Sequence, residues 1–111
     1  MPDTSSLGDF EQLVLLAVLR LDDGAYAPDI RVAIETAADR RVTRGALYST
    51  LERLEGKGYL QWRPESNSGS RGGVPRRQFA LTAAGLKALR RSVAAVTALT
   101  RGLERTLGST G

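Results

Sequence analysis

The amino-acid sequence predicts a mainly α-helical fold with one two-stranded β-hairpin, ordered as three helices, the hairpin and a long final helix. Apolar residues recur at the three- and four-residue spacing of helices in four segments of the chain. Two short runs with alternating apolar residues flank a stretch rich in Ser and Gly, which is typical of a hairpin. The chain has 111 residues, enough for one modest core and little room for a second.

The first two helices are predicted at Phe10–Leu21 and Pro28–Ala38. Asp9 with Gln12 three residues later fits a capping box for the first helix, and Pro28 suits the first turn of the second. The first helix contains LVLLAVL and is apolar nearly all round, so it must be covered on several sides. We expect a second subunit to cover one of them.

Thr43 can cap a third helix that ends near Gly56 and Gly58. Leucines at positions 47, 51 and 54 recur with helical spacing and define its buried stripe. This stripe fixes the roll of the helix. The face turned away from the core then carries Gly45, Ser49 and Arg53, with Arg44 and Tyr48 at its flanks.

The hairpin is predicted from the runs YLQWR (59–63) and RRQFALT (76–82). We expect Trp62 and Phe79 to lie in the core beneath it. The connecting stretch ESNSGSRGGVP (65–75) lacks an apolar pattern, so we expect it to form a flexible, basic tip.

Thr82 can cap a final helix that reaches about Leu107. Its apolar residues follow three- and four-residue spacings, and a helix this long extends beyond the small domain that precedes it. A second copy of the chain is the simplest cover for its far half. We therefore predict a homodimer, with an interface formed by Phe10, Leu13, Leu86, Leu89, Val93, Val96, Leu103 and Leu107.

The composition argues against most enzymes. The chain has no cysteine and no histidine, which excludes the usual zinc sites, Ser-His and Cys-His catalytic pairs and an imidazole base. Glu52 and Glu55 lie on a helix without a partner base. We expect no catalytic residues, no cofactor and no metal. The chain has no apolar run long enough for a membrane span and a polar, acidic start, so we expect a cytoplasmic protein that does not bind membranes.

Charge is segregated along the chain. Residues 1–39 carry eight acidic and two basic side chains, and residues 40–111 carry four acidic and fourteen basic ones, giving net charges of −6 and +10. Fourteen of the sixteen basic residues are arginine, which forms forked hydrogen bonds with phosphate and guanine. A GC-rich coding sequence explains the arginine preference equally well, but it explains the segregation less easily.

The order of helices and basic hairpin is that of a winged helix-turn-helix, in which the third helix enters the DNA major groove. We assign residues 1–8 to a flexible tail, 9–82 to this DNA-binding domain and 83–108 to a dimerisation helix. The predicted partner is double-stranded DNA. The predicted contacts are Thr43, Arg44, Gly45, Tyr48, Ser49, Thr50 and Arg53 of the third helix, and Arg71, Arg76 and Arg77 of the hairpin, or wing.

Structural roles remain open for several of these residues. Arg53 can instead pair with Glu52 or Glu55 on the surface, Tyr48 can pack against the second helix, and Arg71 can be an ordinary solvated charge. The wing can follow the DNA backbone or enter a minor groove.

Three segments resemble PadR-type transcription regulators: LGDFEQLVLLAVLRL, TRGALYSTLERLEGKGYL and RGGVPRRQFALTAAGLKAL. The resemblance spans about residues 7–89. It implies a winged helix that binds palindromic operator DNA as a homodimer, usually as a repressor, and whose C-terminal helix crosses to the partner subunit.

The chain departs from the family pattern in two places. Ala27 stands where the family commonly has glycine, after Ala25 and Tyr26. Some small members bind planar drugs between aromatic residues at the dimer interface, but the last helix here has no aromatic residue. The effector, if one exists, is therefore an unknown small molecule or protein. The alternative function is a winged-helix protein-interaction module that does not bind DNA.

Overall fold

In the computed structural model, which describes residues 7–65 and 75–108, a helical core carries one two-stranded hairpin. The predicted fold, mainly α with one antiparallel hairpin, is confirmed. Arg71 and the rest of the wing tip (66–74), and residues 1–6 of the predicted tail, lie outside the described residues. The elements are α1 Asp9–Leu21, a 3-10 turn Asp22–Gly24, α2 Ala27–Ala38, α3 Arg44–Gly56, β1 Leu60–Pro64, β2 Arg77–Leu81, α4 Ala83–Thr100 and α5 Glu104–Leu107.

Helix α1 is the centre of the core, where it contacts α2, α3, α4 and β2. Val14 and Leu15 are completely buried, as expected for a helix that is apolar on several sides. The predicted stripe of α3 packs against it, because the three leucines at 47, 51 and 54 are at most 2% exposed. This packing fixes which face of α3 meets solvent.

The start of α1 differs from the prediction. Gly8, rather than Asp9, is the N-cap, and its backbone N–H donates to Glu11 Oε1 over 2.9 Å. With the cap at Gly8, the third helical position is Glu11 and not Gln12, so Glu11 completes the capping box. Gln12 instead hydrogen-bonds Ser92 of α4.

The hairpin pairs Leu60 with Leu81 and Trp62 with Phe79. The Phe79 N–H donates to the Ala25 carbonyl over 2.9 Å, which joins the segment before α2 to the edge of β2. Phe79 is 3% exposed, as predicted, but Trp62 is 37% exposed and is not a core residue. Trp62 lies two residue pairs closer to the tip than Leu60, which is the one buried residue of β1.

Helix α4 begins in close contact with the base of the hairpin. Thr82 accepts a hydrogen bond from Gly85 N over 3.0 Å and donates to the Gly58 carbonyl over 2.6 Å. A Cβ atom at Gly85 would lie 2.1 Å from the Tyr59 carbonyl oxygen. Only glycine therefore allows the backbone of α4 to approach the hairpin this closely.

The final helix is shorter than predicted. Helix α4 ends at Thr100, and the separate four-residue helix α5 follows at Glu104–Leu107. Gly102 between them has φ 87°, a left-handed conformation that interrupts a right-handed helix. Leu89 is buried in the core, but α4 is largely exposed from Val93 onwards, so no packing within the protomer offsets the low helix propensity of Gly102.

No helix in the described parts of the chain, residues 7–65 and 75–108, combines the length and the apolarity needed to cross a membrane.

The contact at Gly85 predicts a large effect of one methyl group. Gly85→Ala should lower the free energy of unfolding by roughly 2–3 kcal/mol, because the Tyr59 backbone would have to move. Gly56→Ala is the control, since Gly56 ends α3 with open space around its Cβ position. Urea unfolding followed by circular dichroism measures both. Equal stability of the two variants would contradict the close approach.

Candidate nucleic-acid interface

The first two turns of α3 form an exposed surface of small and polar residues. The Thr43 side chain caps the helix by accepting from Ala46 N over 3.1 Å. Arg44, Gly45 and Ser49 are exposed, as the leucine stripe predicts. No atom lies within 4 Å of a Cβ position at Gly45. The backbone is therefore accessible at the end of the helix where its N–H groups attract anions.

Ala46 belongs to this surface and was missed by the sequence analysis. It is exposed beside Gly45, so two consecutive small residues leave the first turn of α3 uncovered. Its position one residue after Gly45 in the predicted first turn was the available signal.

Tyr48 lies at the border between α3 and α2. It is 39% exposed, and the Arg44 guanidinium carbon lies 5.7 Å from its ring centroid. Both residues line a shallow groove with Pro28 and Arg31 of α2. Tyr48 thus lies beside α2, in line with the alternative that it packs against the second helix, and part of its ring is still exposed to solvent.

Thr50 does not lie on the exposed face. It is 2% exposed, and its hydroxyl accepts from Arg53 Nη2 over 3.3 Å. Residue 50 lies between Leu47 and Leu54 on the side of α3 that packs against the core. We therefore remove Thr50 from the predicted DNA contacts.

Arg53 pairs with a residue that lies far away in the sequence. Its Nε is 3.2 Å from Glu11 Oε2, and Lys57 Nζ is 3.0 Å from both oxygens of the same carboxylate. The expected alternative partners, Glu52 and Glu55, are not the ones used. No sequence pattern predicts that Glu11 and Arg53, which are 42 residues apart, form an ion pair.

Glu11 is only 7% exposed, yet its surroundings favour the ionised form of its carboxyl group. Burial on its own raises the pKa of Glu11, but the Gly8 N–H bond, the Lys57 hydrogen bond and charge, and the Arg53 charge together lower it below its ordinary value. Glu11 thus ties the start of α1 to the last turns of α3 and holds the Arg53 guanidinium against the protein.

The two arginines at the base of the wing have different surroundings. Arg76 donates from Nε and Nη2 to the Glu65 carboxylate over 3.1 and 2.8 Å, and its guanidinium carbon is 4.1 Å from the Tyr26 ring centroid. Arg77 instead lies over Trp62, at 4.4 Å. Arg76 thus braces the hairpin, and its bonds to Glu65 make it a weaker candidate for a DNA contact than Arg77.

Comparison with known proteins identifies the kind of molecule to which this surface belongs. Residues 15–91 match the model of the transcriptional regulator PadR-like family. The chain belongs to the PadR-like family. The fold is therefore the winged-helix fold of a DNA-binding transcription regulator.

Solved structures agree with this assignment. A PadR-like transcription factor from Bacteroides fragilis is 28% identical over 87% of this chain and 88% of its own, with a TM-score of 0.66. A PadR family transcriptional regulator from Eggerthella lenta is 27% identical over 89% and 84%, with a TM-score of 0.64. A regulator from Clostridium thermocellum shares the fold at 20% identity, over 89% of both chains, with a TM-score of 0.66. Among curated proteins, none matches significantly.

The Glu11 contacts predict a pH-dependent stability. Because the pKa of Glu11 is lower in the folded protein than in the unfolded chain, its contribution is complete above the unfolded pKa and is lost as pH falls through the folded pKa. Glu11→Gln should cost about 1–2 kcal/mol at pH 7. The difference from the parent protein should shrink below about pH 4.

Urea unfolding at a series of pH values from neutral to acid measures this difference. Glu52→Gln, at an exposed position of α3, is the control. A difference that stays constant down to the acid limit would show that the ionised carboxylate is not the stabilising species.

Proposed function

We propose that this PadR-like chain is a homodimeric repressor that binds a palindromic operator. The observation that carries the proposal is the exposed first half of α3, where Arg44 and Ser49 flank the uncovered backbone at Gly45 and Ala46. Each copy inserts this surface into one major groove and places its wing on the flanking backbone. The protein acts in the cytoplasm and has no catalytic activity of its own.

The chemistry of the α3 surface suits a major groove. The small residues Gly45 and Ala46 let the helix approach the base edges closely. Arg44 can donate to a guanine edge or a phosphate, and Thr43 and Ser49 can donate to phosphate oxygens. Arg53 lies about two helical turns after Gly45 on α3 and is held by Glu11. It is therefore better placed to contact the DNA backbone than a base.

The dimer is supported by apolar residues exposed on α4 and α5. Val96, Leu99, Leu103 and Leu107 are between 47% and 77% exposed, which is unusual for such a concentration of large apolar side chains. A second copy of α4 and α5 is the occupant that symmetry favours, because the same surface then covers itself.

The predicted dimer contacts need revision. Leu89 is 2% exposed and Phe10 and Leu13 pack against the core of their own protomer. Leu99 was missed, although it lies three residues after Val96 and four before Leu103. We therefore propose an interface made mainly by the exposed part of α4 and by α5, with Val93, Val96, Leu99, Leu103 and Leu107. Leu86 of α4 and the exposed Leu16 and Leu19 of α1 extend it, since Leu19 and Leu86 line one depression of the surface.

The two-fold symmetry of the proposed dimer predicts a palindromic operator sequence. A dimer that presents two α3 helices recognises two inverted half-sites about 34 Å apart, one turn of the double helix. A protein bound across a promoter excludes the polymerase, which makes repression the simplest outcome and agrees with the sequence resemblance to PadR-type regulators.

Selection of bound fragments from a genomic library tests the function directly. We expect enrichment of fragments that share an inverted repeat, and an affinity that falls steeply as salt rises from about 50 to 200 mM. A dimer that enriches no sequence and shows no salt-dependent DNA binding would instead favour the protein-interaction module.

Gly45→Glu separates binding from folding. The substitution removes a helical glycine and adds a negative charge at the N-terminal turn of α3, so stability should rise by about 0.5–1 kcal/mol. Operator affinity should fall at least roughly 100-fold, because the new carboxylate faces phosphate. Fluorescence anisotropy and thermal unfolding measure the two effects.

Gly56→Glu is the matched control, since it adds the same charge at the other end of α3, also into open space. It should retain most of the affinity. Equal losses for both variants would mean that net charge, and not the α3 surface, governs binding.

Leu99→Glu tests the dimer. A charged residue at the centre of the proposed interface should raise the dimer dissociation constant at least roughly tenfold, because its burial without a partner is costly. Val32→Glu is the control, since Val32 is 60% exposed on α2 outside the proposed interface. Analytical ultracentrifugation gives both constants. A Leu99→Glu protein that remains dimeric like the control would place the interface elsewhere.

A further inference from the structure

Trp62 occupies the junction between the wing and the recognition helix. It is the single tryptophan of the chain. Its cross-strand partner Phe79 fills the core beneath the hairpin at 3% exposure, whereas Trp62 leaves 37% of its surface in solvent. The core is therefore closed by Phe79, and a large aromatic ring at position 62 needs another explanation.

The indole group is held from two directions. Its Nε1–H donates to Glu55 Oε2 over 3.0 Å, which links β1 to the last turn of α3. Its face carries the Arg77 guanidinium, with the carbon 4.4 Å from the ring centroid. Trp62 is thus connected to the recognition helix through its edge and to the wing through its face.

Stacking leaves the hydrogen-bond donors of Arg77 free. The indole ring offers no oxygen or nitrogen acceptor, so this contact leaves the five N–H groups of the guanidinium available to other acceptors. Within residues 7–65 and 75–108, no carboxylate or carbonyl accepts a hydrogen bond from Arg77. Its neighbour Arg76 has the opposite character, because both ends of its fork are bound to Glu65.

We propose that Trp62 is a positioning residue for DNA binding. Anchored to α3 by Glu55, it holds the Arg77 guanidinium over its ring at the base of the wing, where Arg77 donates to a phosphate of the strand that borders the major groove occupied by α3. The proposal rests on the proposed DNA-binding function and adds the residue that fixes the wing relative to the recognition helix.

The physical advantage is preorganisation. A long, flexible arginine loses rotamer freedom when it binds a phosphate, and stacking on Trp62 removes much of that freedom beforehand. The hydrogen bond to Glu55 also couples the direction of Arg77 to the axis of α3. A phosphate contact made by this arginine therefore sets the register of α3 along the groove rather than adding unspecific attraction alone.

Binding of fluorescently labelled operator DNA at several salt concentrations tests this role. Arg77→Ala should weaken binding roughly three- to tenfold and reduce the slope of log affinity against log salt by about one. Arg76→Ala, which removes the same formal charge one residue away, should leave the slope unchanged because Glu65 already occupies that guanidinium. Equal slopes for both variants would overturn the assignment of Arg77.

Substitutions at Trp62 separate positioning from folding. Trp62→Ala should cause a loss similar to that of Arg77→Ala, and the double variant should lose little more, because both changes remove the same contact. Trp62→Phe keeps a ring beneath Arg77 but loses the N–H that bonds Glu55, so it should recover part of the affinity that Trp62→Ala loses, and it serves as the folded variant if Trp62→Ala proves unstable. Full affinity in a folded Trp62→Ala protein, or no recovery with Phe, would overturn the positioning role.

In variants that remain folded, the fluorescence of Trp62 reports on DNA contact near Arg77 and does not depend on the stability of the variant. Operator DNA should shift or quench the emission of the parent protein and of Arg76→Ala, and it should have a much smaller effect on Arg77→Ala. Binding without any change in emission would overturn the inference while leaving the regulator function intact. A parent protein that binds no DNA would overturn the proposed function and this role with it.

Discussion

The buried carboxylate of Glu11 is the interaction on which the placement of α3, the proposed recognition helix, depends. It caps α1 through Gly8 and receives hydrogen bonds from Arg53 and Lys57 in the last turns of α3 and just after it. The leucine stripe holds α3 against α1 but is apolar and tolerates small rotations and shifts. A carboxylate with directional bonds to two cations admits far fewer arrangements, so it fixes the pitch of α3 relative to α1.

The rest of the proposed DNA-binding surface extends from that fixed helix. Trp62 connects α3 to β1 through Glu55, and the Ala25 carbonyl connects β2 to the segment that leads into α2. The base of the wing is therefore bonded on both sides. Gly85 then lets α4 leave the hairpin at close range, so the direction of the proposed dimer arm follows from the same core.

The arginines of the basic region differ in what their charges already do. Arg76 is paired with Glu65, and Arg53 donates hydrogen bonds to Glu11 and Thr50. Arg77 instead lies over the ring of Trp62. The count of fourteen basic residues over residues 40–111 thus overstates the number of cations that are free to meet phosphate. The proposed interface is smaller than the count of basic residues suggests, and it is more ordered.

The sequence by itself determined the fold class, the three core helices, the hairpin and the exposed face of α3. These follow from periodicity and turn residues, which act over a few neighbouring positions, so a single chain displays them. The family resemblance then identified the kind of regulator from the α3 and wing segments. The end of the last helix escaped prediction, because the apolar spacing continues past Gly102 while no protomer surface there supports it.

Only the tertiary structure decided the partners of individual side chains. Glu11 meets Arg53 across 42 residues, Trp62 meets Glu55 instead of the core, and Arg76 and Arg77 diverge although they are adjacent. These pairings depend on which segments of backbone come together and on which charged groups become buried side by side. The packing of the whole domain decides both, and no local sequence pattern encodes them.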